Sequence, residues 1–194
     1  MGKQYAGIDG RLQEWIEAQH VFFVATAPLS AEGHINVSPR GLRDTFRFVD
    51  EHTLAWLDLT GSGAETIAHL RENGRIVVMF CGFEGPPKIV RLHGRGHVVT
   101  PEDSGWTENV APFGDAHPGV RAVIVVEVSR VSDSCGYAVP TMTFEAERDV
   151  LDRSNAHKGE AKLVSYRAEK NAASIDGLPA LEPVSVHETV VSHP

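Results

Sequence analysis

The sequence predicts an α+β protein, mainly β with helices, built as an antiparallel barrel with helical additions. Three observations lead there. About six or seven short runs rich in β-branched and aromatic residues follow one another at hairpin-like spacing. One helix with a clear start and stop is inserted between two neighbouring strands. Helices otherwise do not alternate with strands, which disfavours a doubly wound parallel sheet, and no G-x-G-x-x-G follows the first strand.

The elements follow in order. Ile8, Leu12, Trp15 and Ile16 recur at helical spacing, so Ile8 to Ala18 is an amphipathic helix with Asp9 as its N-cap. Val21 to Ala27 is a short apolar strand, Pro28 to Gly33 a turn, and His34 to Pro39 a second, alternating strand. Thr45 to Val49 alternates as a third, and the polar link Asp50-Glu51-His52 leads into a fourth from Thr53 to Leu59. After Thr60-Gly61-Ser62-Gly63 comes a helix, AETIAHLREN, whose apolar face is Ala64, Ile67, Ala68 and Leu70 and whose stop is Asn73-Gly74. Arg75 to Phe80 is a buried strand. Gly82 to Pro87 is a breaker cluster. Lys88 to Thr100 is a long strand that Gly94 and Gly96 bend or bulge. Pro101 to Gly119 holds a short helix and a Pro/Gly-rich loop, and Arg121 to Val131 is the strongest strand signal. Glu145 to His157 and Glu160 to Lys170 read as two short helices broken at Lys158-Gly159. Leu178 to Pro194 reads as an extended arm or frayed tail.

Composition narrows the function. At 194 residues the chain suits one domain with a real core. A net charge of -8 argues against a general nucleic-acid or anionic-membrane binder. Cys81 and Cys135 read as free thiols in a reducing compartment. The N-terminus carries no signal-peptide pattern, no apolar run is long enough to span a bilayer, and a cytoplasmic location is expected. Ten histidines form no zinc-type spacing, so no metal site is expected. Neither a nucleophile elbow nor a P-loop is present.

The Thr60-Gly61-Ser62-Gly63 turn has two readings. A helix start after a glycine-rich turn offers free N–H groups and the positive end of a dipole, a seat for a phosphate. The same residues also form an ordinary capping box, with Ser62 at N-cap and Glu65 at N3, and Glu65 would oppose an anion there. Two glycines favour the seat, because a cap needs neither and a ligand needs close backbone approach. In Asn36-Val37-Ser38-Pro39-Arg40-Gly41, a strand ends at a proline with a cation just past it. Arg40, or Arg43, could pair with a phosphate, or simply be solvated at a hairpin exit. Arg91, His93 and Arg95 share one face of the long strand.

Taken together, VFFVATA, HINVSPRG, TLAWLDLTGSGAETIAHLRENGRIVVMF and KIVRLHGRGHVV resemble the pyridoxamine 5'-phosphate oxidase-like, FMN-binding split-barrel family, over about Ile8 to Val131. The SCGYAVP and KNAASIDGLP segments resemble an oxidase-related subgroup. The resemblance implies a six-stranded antiparallel split barrel and a homodimer with FMN at its interface. It also implies a barrel domain over 1–140 and a helical extension with tail, 141–194, packed on the barrel or on the partner subunit. Asn36, Val37, Ser38, Pro39 and Arg40 would fall along the flavin. Thr60, Gly61, Ser62, Gly63 and Thr66 would fall around its phosphate, and Arg91 would approach from the long strand, from either subunit. The implied activity is an FMN-dependent oxidoreduction of a small-molecule substrate. The vitamin-forming oxidases carry an Arg-Lys pair just after the serine of this turn, where this chain has Gly63 and Ala64, and their C-terminal substrate segment is unmatched by LEPVSVHETVVSHP. Pyridoxamine phosphate is therefore not assigned as substrate. A non-catalytic flavin- or haem-binding module on the same fold and a deazaflavin-dependent reductase stay open as alternatives.

Overall fold

The computed structural model describes residues 2–41, 43–114 and 117–181, with the side chain of Arg43 outside the description. The fold is a curled antiparallel sheet with four helices. Its strands are β1 (Gln4–Tyr5), β2 (Phe22–Thr26), β3 (Asn36–Arg40), β4 (Phe46–Phe48), β5 (Thr53–Leu59), β6 (Arg75–Cys81), β7 (Ile89–Val99) and β8 (Val120–Ser134). The helices are α1 (Gly10–Glu17), α2 (Glu65–Asn73), α3 (Trp106–Val110) and α4 (Val150–Lys170). The strands run in the order β3-β2-β6-β7-β8-β5-β4, and β1 pairs with β8 off that path. The main path thus has seven strands where six are expected, and the two-residue β1 is an addition too short to announce itself by alternation.

Local sequence accounts for most of these elements. Asp9 caps α1 as expected, its Oδ1 accepting from Leu12 N–H at 2.9 Å. Gly74 ends α2 in the left-handed region at φ 70°, which a side chain would strain. The long strand β7 has its bulge between His93 and Gly94. A Cβ on Gly94 would stand 2.2 Å from Glu127 O, so glycine is what lets β8 approach. The strand β3 pairs only with β2, which makes it an edge and allows Pro39, lacking an N–H, to be part of it.

The curled sheet wraps one apolar core. Phe22, Trp56, Val78, Phe80, Leu92 and Ile124 fill it, and α1 and α2 close it with Leu12, Ile16, Ile67 and Leu70. The other faces of β5 and β8 (Ala55, Leu57, Val123, Val125) are covered by Phe113 and the α3 region. Both faces of β5 and β8 are therefore buried, which explains their nearly continuous apolar runs.

Two expectations near the C-terminus change. The helix expected from Glu145 begins at Val150, and residues 145–149 are exposed and non-helical. The expected break is present: Gly159 has φ 69° and ψ 164°, so α4 is two helical pieces across a kink. The arm expected from Leu178 instead folds back at first. Ala180 N–H donates to Ala172 O and Leu181 N–H to Asn171 O, and Ala180 is buried. The rest of that expectation, residues 182–194, lies outside the described residues.

Candidate functional site

One cleft of about 1140 Å³ opens between β3, the end of β5, the turn before α2, and residues 146–154 of the C-terminal extension. Period-two alternation on β3 places Asn36, Ser38 and Arg40 on one face. Of the residues expected around a flavin, Ser38, Pro39, Arg40, Gly61, Ser62, Gly63 and Thr66 line this cleft. Asn36 stands just behind it: its Nδ2 donates to Thr66 Oγ1 at 3.2 Å and to Thr26 Oγ1 at 3.1 Å, while its Oδ1 accepts from Ser38 Oγ at 2.7 Å. Thr60 is buried, its hydroxyl donating to Gly119 O at 2.7 Å. Val37 is on the opposite face of β3 and 64% exposed. Arg91 on β7 does not line the cleft of its own chain; its Nη1 donates to Ser134 Oγ at 3.1 Å.

The turn differs from a capping box. The N-cap is Ala64 and no side chain caps α2. Glu65 lines the cleft; its Oε1 accepts from Ile175 N–H at 3.3 Å and its Oε2 lies beside Gly63, 2.8 Å from where a Cβ there would stand, without the hydrogen bond to the Ser62 N–H that a capping box requires. Gly61 has open space around it, since an added Cβ would meet nothing nearer than Leu59 O at 3.9 Å. The start of α2 thus keeps its N–H groups uncapped by side chains.

The residues that hold this site in place were not visible as a motif. Asp58, 1% exposed, pairs with Arg121 (Nε to Oδ2, 3.1 Å) and with Arg40 (Nη2 to Oδ1, 3.4 Å). Arg121, 3% exposed, also donates from Nη1 to Gly61 O at 3.3 Å and from Nη2 to Gly63 O at 2.7 Å. Asn155 and Asn171, both buried, donate to Thr60 O and Gly61 O. The one sequence signal was a charge inside an apolar run: Asp58 in TLAWLDL, and Arg121 opening β8.

Among the described residues, the cleft-lining side chains include two buried donors without partners, Arg40 Nε and Trp56 Nε1. Trp56 is 1% exposed. Buried donors left unmade are costly, and an acceptor-rich ligand would satisfy them.

Two histidines outside the cleft lining have shifted pKa values. His69 on α2 is fully buried, its Nδ1 2.9 Å from Thr26 Oγ1, and burial pulls its pKa below the usual value. His117 joins Asp152 (Nδ1, 2.8 Å) to Asp44 (Nε2, 3.1 Å), tying α4 to the loop before β4. Burial alone would lower its pKa, but the hydrogen bond and charge of Asp152, with Asp44, raise it on balance. Cys81 is buried and Cys135 exposed, and both are free. Among the described residues no group of three or more His, Cys, Asp or Glu could hold a metal ion, and no helix is long and apolar enough to cross a membrane.

Comparison with known proteins agrees with this architecture. The family model described as pyridoxamine 5'-phosphate oxidase matches residues 8–135. The chain is similar to the pyridoxamine 5'-phosphate oxidase family protein ustO of Aspergillus flavus, at 38% identity over 192 residues, covering 91% of this chain and 77% of that protein. In three dimensions it is similar to HupZ of Group A Streptococcus. The H111A form of HupZ has a TM-score of 0.52 at 23% identity, covering 66% of this chain and 99% of that one. A second HupZ structure has a TM-score of 0.50 at 24% identity, covering 64% and 91%. At such identity these structures speak for the fold alone.

Proposed function

The chain belongs to the pyridoxamine 5'-phosphate oxidase family, and from that premise we propose that it is an FMN-dependent oxidoreductase of a small-molecule substrate. The observation that carries the reading is the cleft itself, where Ser38, Pro39 and Arg40 of an edge strand face the Gly61–Gly63 turn across a space of about 1140 Å³. The residues present suit a phosphorylated flavin. The turn has room for close approach at Gly61, α2 is uncapped by side chains, and Arg40 Nε and Trp56 Nε1 are donors awaiting acceptors.

When bound, FMN supplies hydride or electron transfer; the protein supplies binding, orientation and tuning. Arg40 pairs with the phosphate while Asp58 holds its guanidinium in place from the other side. The Asn36–Thr66 hydrogen bond ties the edge strand to α2, and the Ser38 hydroxyl orients the Asn36 amide for it, which keeps the two walls of the cleft in register. Residues 146–154 form the outer wall and restrict water.

The same reading includes a homodimer. Leu29, Ile35, Val37 and Ile175, on or near the β3 edge, are all more than 60% exposed, an apolar surface that a second copy would cover. It also includes a reducing location such as the cytoplasm, where the two thiols stay free.

The test is spectroscopic. Purified protein should carry, or take up, FMN with flavin absorbance, and NADH or NADPH should reduce it in the presence of an electron acceptor. A protein that binds no added FMN refutes the proposal. One that binds it and never turns over is a binding module.

A further inference from the structure

The turn before α2 is held by its carbonyl oxygens. Thr60 O accepts from Asn155 Nδ2 at 3.4 Å. Gly61 O accepts from Arg121 Nη1 at 3.3 Å and from Asn171 Nδ2 at 2.9 Å. Ser62 O accepts from Asn171 Nδ2 at 3.4 Å and Gly63 O from Arg121 Nη2 at 2.7 Å. Four consecutive carbonyls are tied by three buried side chains, all three with less than 4% exposure.

In a trans peptide, the C=O of one residue and the N–H of the next point in opposite directions. With the four carbonyls turned toward the clamp, the N–H groups of Gly61, Ser62, Gly63 and Ala64 turn away from it. None of those four donates a hydrogen bond to another described residue. Successive free N–H groups ahead of a helix start form an anion-binding concavity. Independently of the turn, Trp56 and Arg40 line the same cleft, and the buried Trp56 indole N–H and Arg40 Nε have no partner among the described residues. Both call for acceptor atoms on whatever occupies it.

The charge follows the same geometry. Gly63 and Ala64 contribute no cation, and Arg40 and Arg121 face two carboxylates, Asp58 between them and Glu65 beside Gly63, so the turn binds through oriented N–H groups and the Arg40 guanidinium and not through a surplus of net charge. Arg121 delivers its share from behind, through the peptide dipoles of Gly61 and Gly63, and not by touching the ligand.

We propose that Arg121, Asn155 and Asn171 are positioning residues that preset the turn for a phosphate monoester, and so make the cleft prefer a phosphorylated flavin over its dephosphorylated form. This rests on the FMN reading but makes a separate claim, and the experiment separates the two. FMN and riboflavin affinities are measured for wild type, Arg121→Lys and Asn171→Leu, with folding checked by circular dichroism. Arg121→Lys keeps the charge and loses the planar fork; Asn171→Leu keeps approximate size and loses the donor, and it carries the test if the arginine variant does not fold. The FMN-to-riboflavin affinity ratio should fall at least tenfold in each folded variant, with riboflavin affinity changed less than twofold. An unchanged ratio, or an equal loss of both ligands, overturns the clamp. A third arm uses inorganic phosphate and thermal melting. If wild type binds neither flavin but is stabilised by phosphate, and Asn171→Leu loses that stabilisation, the flavin reading fails and the clamp stands. If neither flavin nor phosphate has an effect, both fail.

Discussion

Arg121 Nε lies 3.1 Å from Asp58 Oδ2, in an ion pair of which neither member keeps more than 3% of its surface. The two residues are 63 positions apart and meet because β5 and β8 are neighbours, with Asp58 opposite Ala122 at the register shift before Leu59. Removing one member of a buried pair strands the other charge away from water, which costs roughly 3–5 kcal/mol. Asp58→Ala should therefore lower unfolding stability by that order, read from urea denaturation. A loss below about 1 kcal/mol would place the pair with weakly coupled surface bridges instead.

Arg40 is the ligand-facing partner of the same carboxylate. A charge-assisted hydrogen bond contributes about 1.5–3 kcal/mol, so Arg40→Ala should weaken FMN binding roughly ten- to hundredfold. Riboflavin, without the phosphate, should be nearly unaffected. Fluorescence-quenching titrations with both ligands decide the matter. Unchanged FMN affinity would move the phosphate contact to another cation.

His117 couples α4 to the barrel with a pH-dependent sign. Its pKa is raised above the usual ~6.5 by Asp152 and Asp44 despite burial. A group with a raised folded pKa binds protons more tightly when folded. Its stabilisation is full below about pH 6.5 and is lost as pH rises through the folded value. The Tm difference between wild type and His117→Gln should therefore shrink from pH 6 toward pH 9. A difference that grows with pH would contradict the bridge.

Glycine at the β7 bulge is a steric requirement. A Cβ at Gly94 meets Glu127 O at 2.2 Å, a backbone atom that cannot move alone, so Gly94→Ala should destabilise by more than about 2 kcal/mol. Gly10, at the start of α1, has nothing within 4 Å, and Gly10→Ala should be neutral or stabilise by up to roughly 1 kcal/mol. Equal effects at the two positions would refute the packing argument.

The two thiols should report different environments. Cys81 lies on β6 opposite Ile89, and Ile89 lies opposite Ser134, next to Cys135. Two strand spacings of ~4.8 Å separate the cysteines, more than the ~7 Å a disulfide tolerates. Burial raises the Cys81 thiol pKa, and Cys135 is exposed. A thiol reagent should titrate one group in the native protein and both after denaturation.

Much of the fold was legible because it depends on near neighbours in the chain. The Asp9 cap, the Gly74 stop, the bulge by Gly94 and the kink at Gly159 each follow from one residue's backbone freedom or side-chain reach. The capping box at Ser62 failed for a related reason. Glu65 found a partner at Ile175, 110 residues away, and α2 begins at Glu65 itself, with Ala64 and not Ser62 at its N-cap. The candidate site was legible in part. Ser38, Arg40 and the Gly61–Gly63 turn were identified from their residue types, while Arg91, equally suitable by type, is turned to Ser134.

The sequence by itself determined the type and order of most strands and helices, and it pointed to the turn before α2 as a place for an anion. Only the tertiary structure decided what holds that turn. Asp58, Arg121, Asn155 and Asn171 come from β5, β8 and the two ends of α4, and no local pattern brings them together. Strand alternation tells which face a residue occupies, but not which distant strand pairs beside it. A buried charge is tolerable only where such pairing supplies its counter-charge.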